Sequence, residues 1–189
     1  MINIGYVYLW TGTGGGKTTN ALGLALRSIG HGQKVVIIQF MKWWKKTGEY
    51  KIRNKLKKYY EIYQFGRPGW LKIDGQNHEV KYHGMKFEVR TIEELDRALA
   101  KRGLKVARKV MEEKKPHLLV LDEINLAVHS NLLGVQDVLN FLKKIPKRTT
   151  VVLTGRYAPK ELVNRADFVN EIIEVKYPQK FVTTKGIQY

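Results

Sequence analysis

Gly12-Thr13-Gly14-Gly15-Gly16-Lys17-Thr18-Thr19 concentrates glycines, hydroxyls and one lysine in a single short run. Backbone N–H groups in such a turn, backed by the start of a helix, converge on phosphate oxygens because glycine permits positive φ and close approach. Lys17 adds a point charge, and the Thr18 hydroxyl is suited to a magnesium shell. The chemistry this predicts is binding of a nucleoside triphosphate with Mg2+. A second run, Leu118-Leu119-Val120-Leu121-Asp122-Glu123, is apolar and ends in two carboxylates. Asp122 and Glu123 are therefore candidate metal ligands beside the phosphates. The plainer alternatives are a glycine turn with an incidental lysine and a solvated strand end. The order strand, glycine loop, helix argues against both.

Those residues need a scaffold, and the pattern around them supplies one. Tyr6-Val7-Tyr8-Leu9-Trp10 reads as a strand, with its aromatic residues expected in the core. From Thr18, Ala21, Leu22, Ala25, Leu26 and Ile29 recur at helical spacing until Gly30-His31-Gly32. Val35-Val36-Ile37-Ile38 is a continuous apolar run, as in a parallel strand covered on both faces. Further along, a strand is expected at Tyr60 to Gln64 and a long helix up to Pro116 with Thr91 as its cap. Another helix is expected over Val135 to Leu142 and a strand over Thr149 to Leu153. A short helix over Pro159 to Asn164 and a last strand at Ile172-Ile173 with Val175 complete the reading. The expected architecture is α/β: a P-loop (RecA-like), mainly parallel sheet with helices on both faces. Residues 1–189 are expected to form one nucleotide-binding domain.

Composition narrows the partners without choosing among them. Thirty-four basic against seventeen acidic residues give a net charge of +17, which attracts phosphates, nucleic acid or another polyanion. Residues 42 to 58 form a basic insertion with eight basic residues against Glu49, and Trp43, Trp44 and Tyr50 lie among them. There is no cysteine, hence no disulfide and no thiolate metal site. With neither a signal peptide nor a membrane-spanning run, a soluble cytoplasmic protein is expected. His31, His78, His83, His117 and His129 have no metal-ligand spacing and receive no role.

The loop departs from the general P-loop spacing G-x-x-x-x-G-K-[ST], since Thr11 stands where the first glycine belongs and Gly12 is the nearest. In that shortened form it resembles the ATP:corrinoid adenosyltransferases, the cob(I)alamin adenosyltransferases of the CobA type. Their loop reads Gly-x-Gly-x-Gly-Lys-Thr, as here from Gly12 through Gly14 and Gly16 to Thr18. Agreement extends over most of the chain: Ala21 with Gly23, Arg27, Gly30-His31-Gly32, Gln39-Phe40, Val120-Leu121-Asp122-Glu123 and Thr154-Gly155-Arg156. It continues with Ala166-Asp167, Val169, Glu171 and the terminal Gly186-Ile187 and Tyr189.

The resemblance implies transfer of the 5′-deoxyadenosyl group of ATP to the cobalt of a reduced corrinoid, with release of triphosphate. In the family the triphosphate lies in the loop in the reverse of the usual sense, which turns the ribose carbon toward the corrin. It implies Lys17, Thr18 and Glu123 as the reacting-centre residues. Gly12, Thr13, Gly14, Gly15, Gly16, Lys17, Thr18, Thr19, Arg27 and Arg156 would hold the nucleotide, and Trp70 would lie under the corrin. Thr18, Asp122 and Glu123 would hold Mg2+. A homodimer and a partner reductase are implied as well. The chain departs from the family at Gly15 (usually lysine), Trp43 (usually glycine) and Gln188 (usually aspartate). Its first strand begins almost at Met1, where many members carry an extension that lids the corrin site, and the insertion at 42–58 is expected to cover the corrinoid instead. Two other chemistries fit the bare residues: an ATPase in which Glu123 polarises water, and a basic nucleic-acid-binding protein, the less favoured of the three.

Overall fold

The computed structural model describes residues 5–72, 80–82, 85–87, 89–178 and 184–187. Its centre is a six-stranded sheet in which every pairing is parallel. In chain order the elements are β1 (Val7–Thr11), α1 (Lys17–Gly30), β2 (Val35–Phe40), α2 (Gly48–Lys51), a 3-10 turn (Ile52–Asn54) and β3 (Tyr60–Phe65). Short strands follow, β4 (Trp70–Leu71), β5 (Val80–Tyr82), β6 (Met85–Phe87) and β7 (Val89–Arg90), and then α3 (Glu94–Glu113). The chain continues with β8 (Leu118–Asp122), α4 (Ile124–His129), α5 (Val135–Leu142), β9 (Thr150–Thr154), α6 (Lys160–Arg165) and β10 (Phe168–Glu171). The sheet order is β10-β1-β9-β8-β2-β3. The α/β architecture expected from the sequence is the one observed.

Each central strand is buried on both faces, so consecutive side chains feed two separate cores. Leu9, Val36, Ile38, Leu119, Leu121, Val151 and Leu153 meet one side, packed against α3, α4, α5 and α6 through residues such as Leu104, Ala107, Ile124, Phe141 and Leu162. Trp10, Val35, Ile37, Tyr60, Ile62, Leu118, Val120 and Val152 meet the other, where α1 presents Ala21 and Ala25. Two alanines at the contact let α1 sit close beneath β8 and β9. The basic insertion, with Tyr50 and Leu56, closes the rest of that face.

Three expectations shift, and one helix was not expected at all. The long helix is capped by Glu93, not Thr91: Glu93 and Asp96 form a reciprocal capping box, with the Glu93 N–H donating to Asp96 Oδ2 at 3.0 Å. The last strand is Phe168–Glu171, a few residues before the Ile172-Ile173 run. Its register against β1 fixes it there, and as an edge strand it leaves all four side chains exposed, so the apolar pattern that marks covered strands is absent. Tyr6 precedes β1 and is 42% exposed, edge-on to Phe168, while Trp10 is buried as expected. Helix α4 carries no sequence signal of its own because it is only six residues long. Met1, His78, His83, Gln188 and Tyr189 lie outside the described residues.

Candidate functional site

Parallel strands put all their C-terminal ends on one edge, and the loop after β1 lies there with the ends of β2, β8 and β9. The loop is held from behind. Ile172 N–H donates to Thr11 O at 2.9 Å, and Gly14 N–H donates to Ile172 O at 2.8 Å. A Cβ on Gly12 would stand 2.3 Å from Ile172 O, and one on Gly14 would stand 2.7 Å from the Ile173 carbonyl carbon. These two glycines are therefore demanded by the close passage of residues 172–174. Gly12 and Gly16 also take positive φ, 97° and 102°. Gly15 has neither constraint.

Lys17 opens α1 and is 7% exposed. Its ammonium donates to Gly12 O at 2.9 Å and to Gly14 O, folding the charge over the mouth of its own loop. Burial lowers its pKa and the nearby Arg156 charge lowers it further, against the pull of Glu123 and Glu174.

Asp122 is fully buried and surrounded by donors. Thr18 Oγ1 and Thr154 Oγ1 donate to Oδ1 at 2.8 and 2.7 Å. Gln39 Nε2 donates to Oδ2 at 3.0 Å, and Lys42 Nζ does so at 2.6 Å. Burial alone would raise the Asp122 pKa, but the Lys42 charge and the hydrogen bonds from Lys42, Thr154 and Thr18 outweigh it and hold the carboxylate ionised. Glu123 is different. It takes φ 64° at the turn into α4, where Thr154 Oγ1 accepts its N–H at 3.0 Å. Its Oε2 is buried with no hydrogen-bond partner among the described residues. Burial raises its pKa and the nearby Asp122 charge adds to that rise, against the opposing pull of Lys42, Lys17 and Arg156.

Two cavities meet here. The larger, about 1040 Å3, runs along the loop from Gly14 to Thr19 and includes Arg156, Glu174 and Tyr177. The smaller, about 270 Å3, is lined by Trp43, Trp44, Trp70, Met41 and Leu71. Lys42, Glu49 and Glu123 belong to both walls. The basic insertion stands between the cavities, with Gly48 and Ile52 on one side and Trp44 and Thr47 on the other.

Of the sequence-predicted residues, Gly14 to Thr19, Glu123 and Arg156 line the larger cavity. Asp122 lies just beneath, bonded to Thr18, and Trp70 lies in the aromatic pocket. Arg27 is not brought in. It is exposed in the last turn of α1, ten residues past Lys17 and hence roughly 15 Å along the helix. Gln39, Lys42, Thr154 and Asn125 were not singled out for a role. Asn125 is fully buried and its Nδ2 bridges Trp10 O and Gly155 O, each at 3.2 Å, tying β1 to β9 behind the loop. The signal available in the sequence is a polar residue near the C-terminal end of a largely apolar strand, as Gln39 is in β2 and Thr154 is in β9.

A sequence model of the family described as "ATP:corrinoid adenosyltransferase BtuR/CobO/CobP" matches residues 3–189. The chain belongs to this family. It is similar to the "Corrinoid adenosyltransferase" of Sinorhizobium sp, at 32% identity over 92% of this chain and 74% of that protein. It is also similar to that of Escherichia coli (strain K12), at 31% over 92% and 79%. A third, from Pseudomonas aeruginosa, is 31% identical over 98% and 84%. Among solved structures, the flagellar accessory protein FlaH from Methanocaldococcus jannaschii superposes with a TM-score of 0.54, covering 90% of this chain and 72% of that one. At 14% identity this is a likeness of fold. No helix among the described residues is long and apolar enough to cross a membrane.

Proposed function

We propose that this family member transfers the 5′-deoxyadenosyl group of ATP to the cobalt of a reduced corrinoid at the junction of the two cavities. The observation that carries this reading is that a phosphate loop and an aromatic pocket share one wall, made of Lys42, Glu49 and Glu123. The cobalt(I) lone pair attacks the ribose 5′ carbon, the C5′–O5′ bond breaks, and the electron pair leaves on triphosphate. No water is needed as a nucleophile, so the protein positions the carbon and stabilises the departing charge. Loop amides, Lys17 and Arg156 serve the triphosphate. Trp70, with Trp43 and Trp44, offers an apolar face to the corrin.

The donor set fits a magnesium ion. Thr18 and Asp122 present hard oxygens, and Glu123 brings a buried Oε2 that has no partner within the described chain. Magnesium bound there would neutralise charge on the triphosphate. Asp122 remains ionised for that role under its ring of donors.

The same proposal treats residues 1–189 as one nucleotide-binding unit and the insertion at 42–58 as a cover for the corrinoid. It also includes a reductase partner and a cytoplasmic setting, because cobalt(I) survives only under reducing conditions. A homodimer is supported by the outer edge of β10, which has no strand partner among the described residues and leaves Phe168 and Val169 44% and 43% exposed. Light scattering at micromolar concentration is expected to give twice the chain mass.

The decisive experiment mixes protein, Mg2+·ATP and chemically reduced cobalamin. Adenosylcobalamin and inorganic triphosphate are expected in equal amounts. Release of ADP and phosphate without corrinoid would overturn the proposal in favour of an ATPase. Steeply salt-dependent binding to single-stranded nucleic acid, with no corrinoid bound, would overturn it in favour of a nucleic-acid protein.

A further inference from the structure

Lys42 is placed with unusual care for a lysine at the head of a basic insertion. Strand β2 ends at Phe40, and Met41 takes a left-handed φ of 59°, a costly conformation for a residue with a side chain. The Met41 N–H is tied to Phe65 O at 2.9 Å, and the Met41 backbone passes so close to Gly66 that a Cβ there would stand 2.3 Å from it. This turn sends the Lys42 side chain back over the sheet edge, where it is half-buried. Its ammonium lies 2.6 Å from Asp122 Oδ2 and 3.1 Å from Thr18 Oγ1. Those are two of the oxygens that suit the metal.

We propose that Lys42 and the divalent cation are mutually exclusive partners of Asp122 and Thr18, so that binding the metal with ATP expels the ammonium and shifts Trp43 and Trp44. This rests on the functional reading above. Two cations cannot share one carboxylate oxygen at such distances without strong repulsion. The expelled ammonium already borders the larger cavity, where Glu49 and a bound triphosphate would both attract it. Lys42 itself lines the smaller cavity beside Trp43 and Trp44, so displacement of its ammonium changes a wall that the two indoles share. Lys42 is thus a positioning residue that makes the shape of the aromatic pocket depend on loading of the phosphate loop.

The test uses Mn2+ as probe, titrated into the full chain without nucleotide and followed by electron paramagnetic resonance. Lys42→Met is expected to bind Mn2+ at least tenfold more tightly than wild type, because the competing charge is gone. Equal or weaker binding overturns the proposal. Tryptophan emission gives the second readout. In wild type a change is expected on adding Mg2+ with a non-hydrolysable ATP analogue, larger than with the analogue alone, and absent in a Trp43→Phe/Trp44→Phe variant. A response that survives that double replacement, or that ignores Mg2+, overturns the coupling to the pocket. Should Lys42→Met fail to fold, Lys42→Gln takes its place, and the wild-type emission test needs no variant at position 42. The two readings fail separately. Tighter Mn2+ binding by Lys42→Met with no adenosyl transfer by wild type sinks the assigned reaction and leaves the competition standing. Active wild type with unchanged Mn2+ affinity in the variant sinks only the competition.

Discussion

Gly12, Gly14 and Gly15 look equivalent in the sequence and are not equivalent in the fold. Alanine at Gly12 or Gly14 would drive a methyl group into the backbone of residues 172–174, at a cost of about 1–3 kcal/mol each. Thermal melts are expected to show that loss, together with weaker ATP binding. Gly15→Ala meets open space and is expected to stay within about 0.5 kcal/mol of wild type. Gly15→Lys adds a second positive charge at this open loop position and is expected to tighten triphosphate binding several-fold, read by calorimetry. Glu123 makes a different prediction. Burial raises its pKa, so the stability linked to its neutral form is full below the unfolded value near 4.3 and is lost as pH rises through the folded value. Glu123→Gln is therefore expected to melt higher than wild type at neutral pH, with the gain vanishing near pH 4, while transfer activity falls. A gain that persists unchanged at pH 4 would contradict this. The loop and the acid pair were legible because each closes a strong strand pattern. Lys42 was hidden because its role depends on one left-handed turn at Met41, which no periodicity reports.

Among the elements, α3 owes its start to Asp96, which lies 4% exposed with Arg67 and Arg90 around it. Arg67 donates to both carboxylate oxygens at 3.1 Å, and Arg90 donates at 2.6 and 2.7 Å. Against the burial that would raise its pKa, hydrogen bonds from Arg90, Arg67 and the Glu93 backbone hold the carboxyl well below the usual range. The lowered folded pKa means this stability is present above about pH 4 and is lost as pH falls through the folded value. Asp96→Asn is expected to cost about 2–3 kcal/mol at neutral pH and to flatten the acid limb of a stability–pH curve. Deletion of residues 43–58 is expected to abolish corrinoid binding; retained binding would remove the insertion's covering role. The same scale shows where sequence reading succeeds. Strands such as β2 and β8, buried on both faces, and the long helix α3 stood out, whereas β10 and α4 did not. One is an edge strand with no face to bury, and the other is too short to show a period.

For the molecule as a whole, the order β10-β1-β9-β8-β2-β3 places the earliest strand between two of the latest. Neither neighbour of β1 exists until residues 150–154 and 168–171 have been made, and the phosphate loop rests on residues 172–174. Contacts so distant in sequence are costly to close and slow to form. A chain still emerging from the ribosome carries its glycine motif for nearly the whole of synthesis without the ability to hold a nucleotide. Capture of ATP therefore waits on residues 172–174: a chain halted before Ile172 is expected to show no nucleotide protection against proteolysis, and the 189-residue chain to show it.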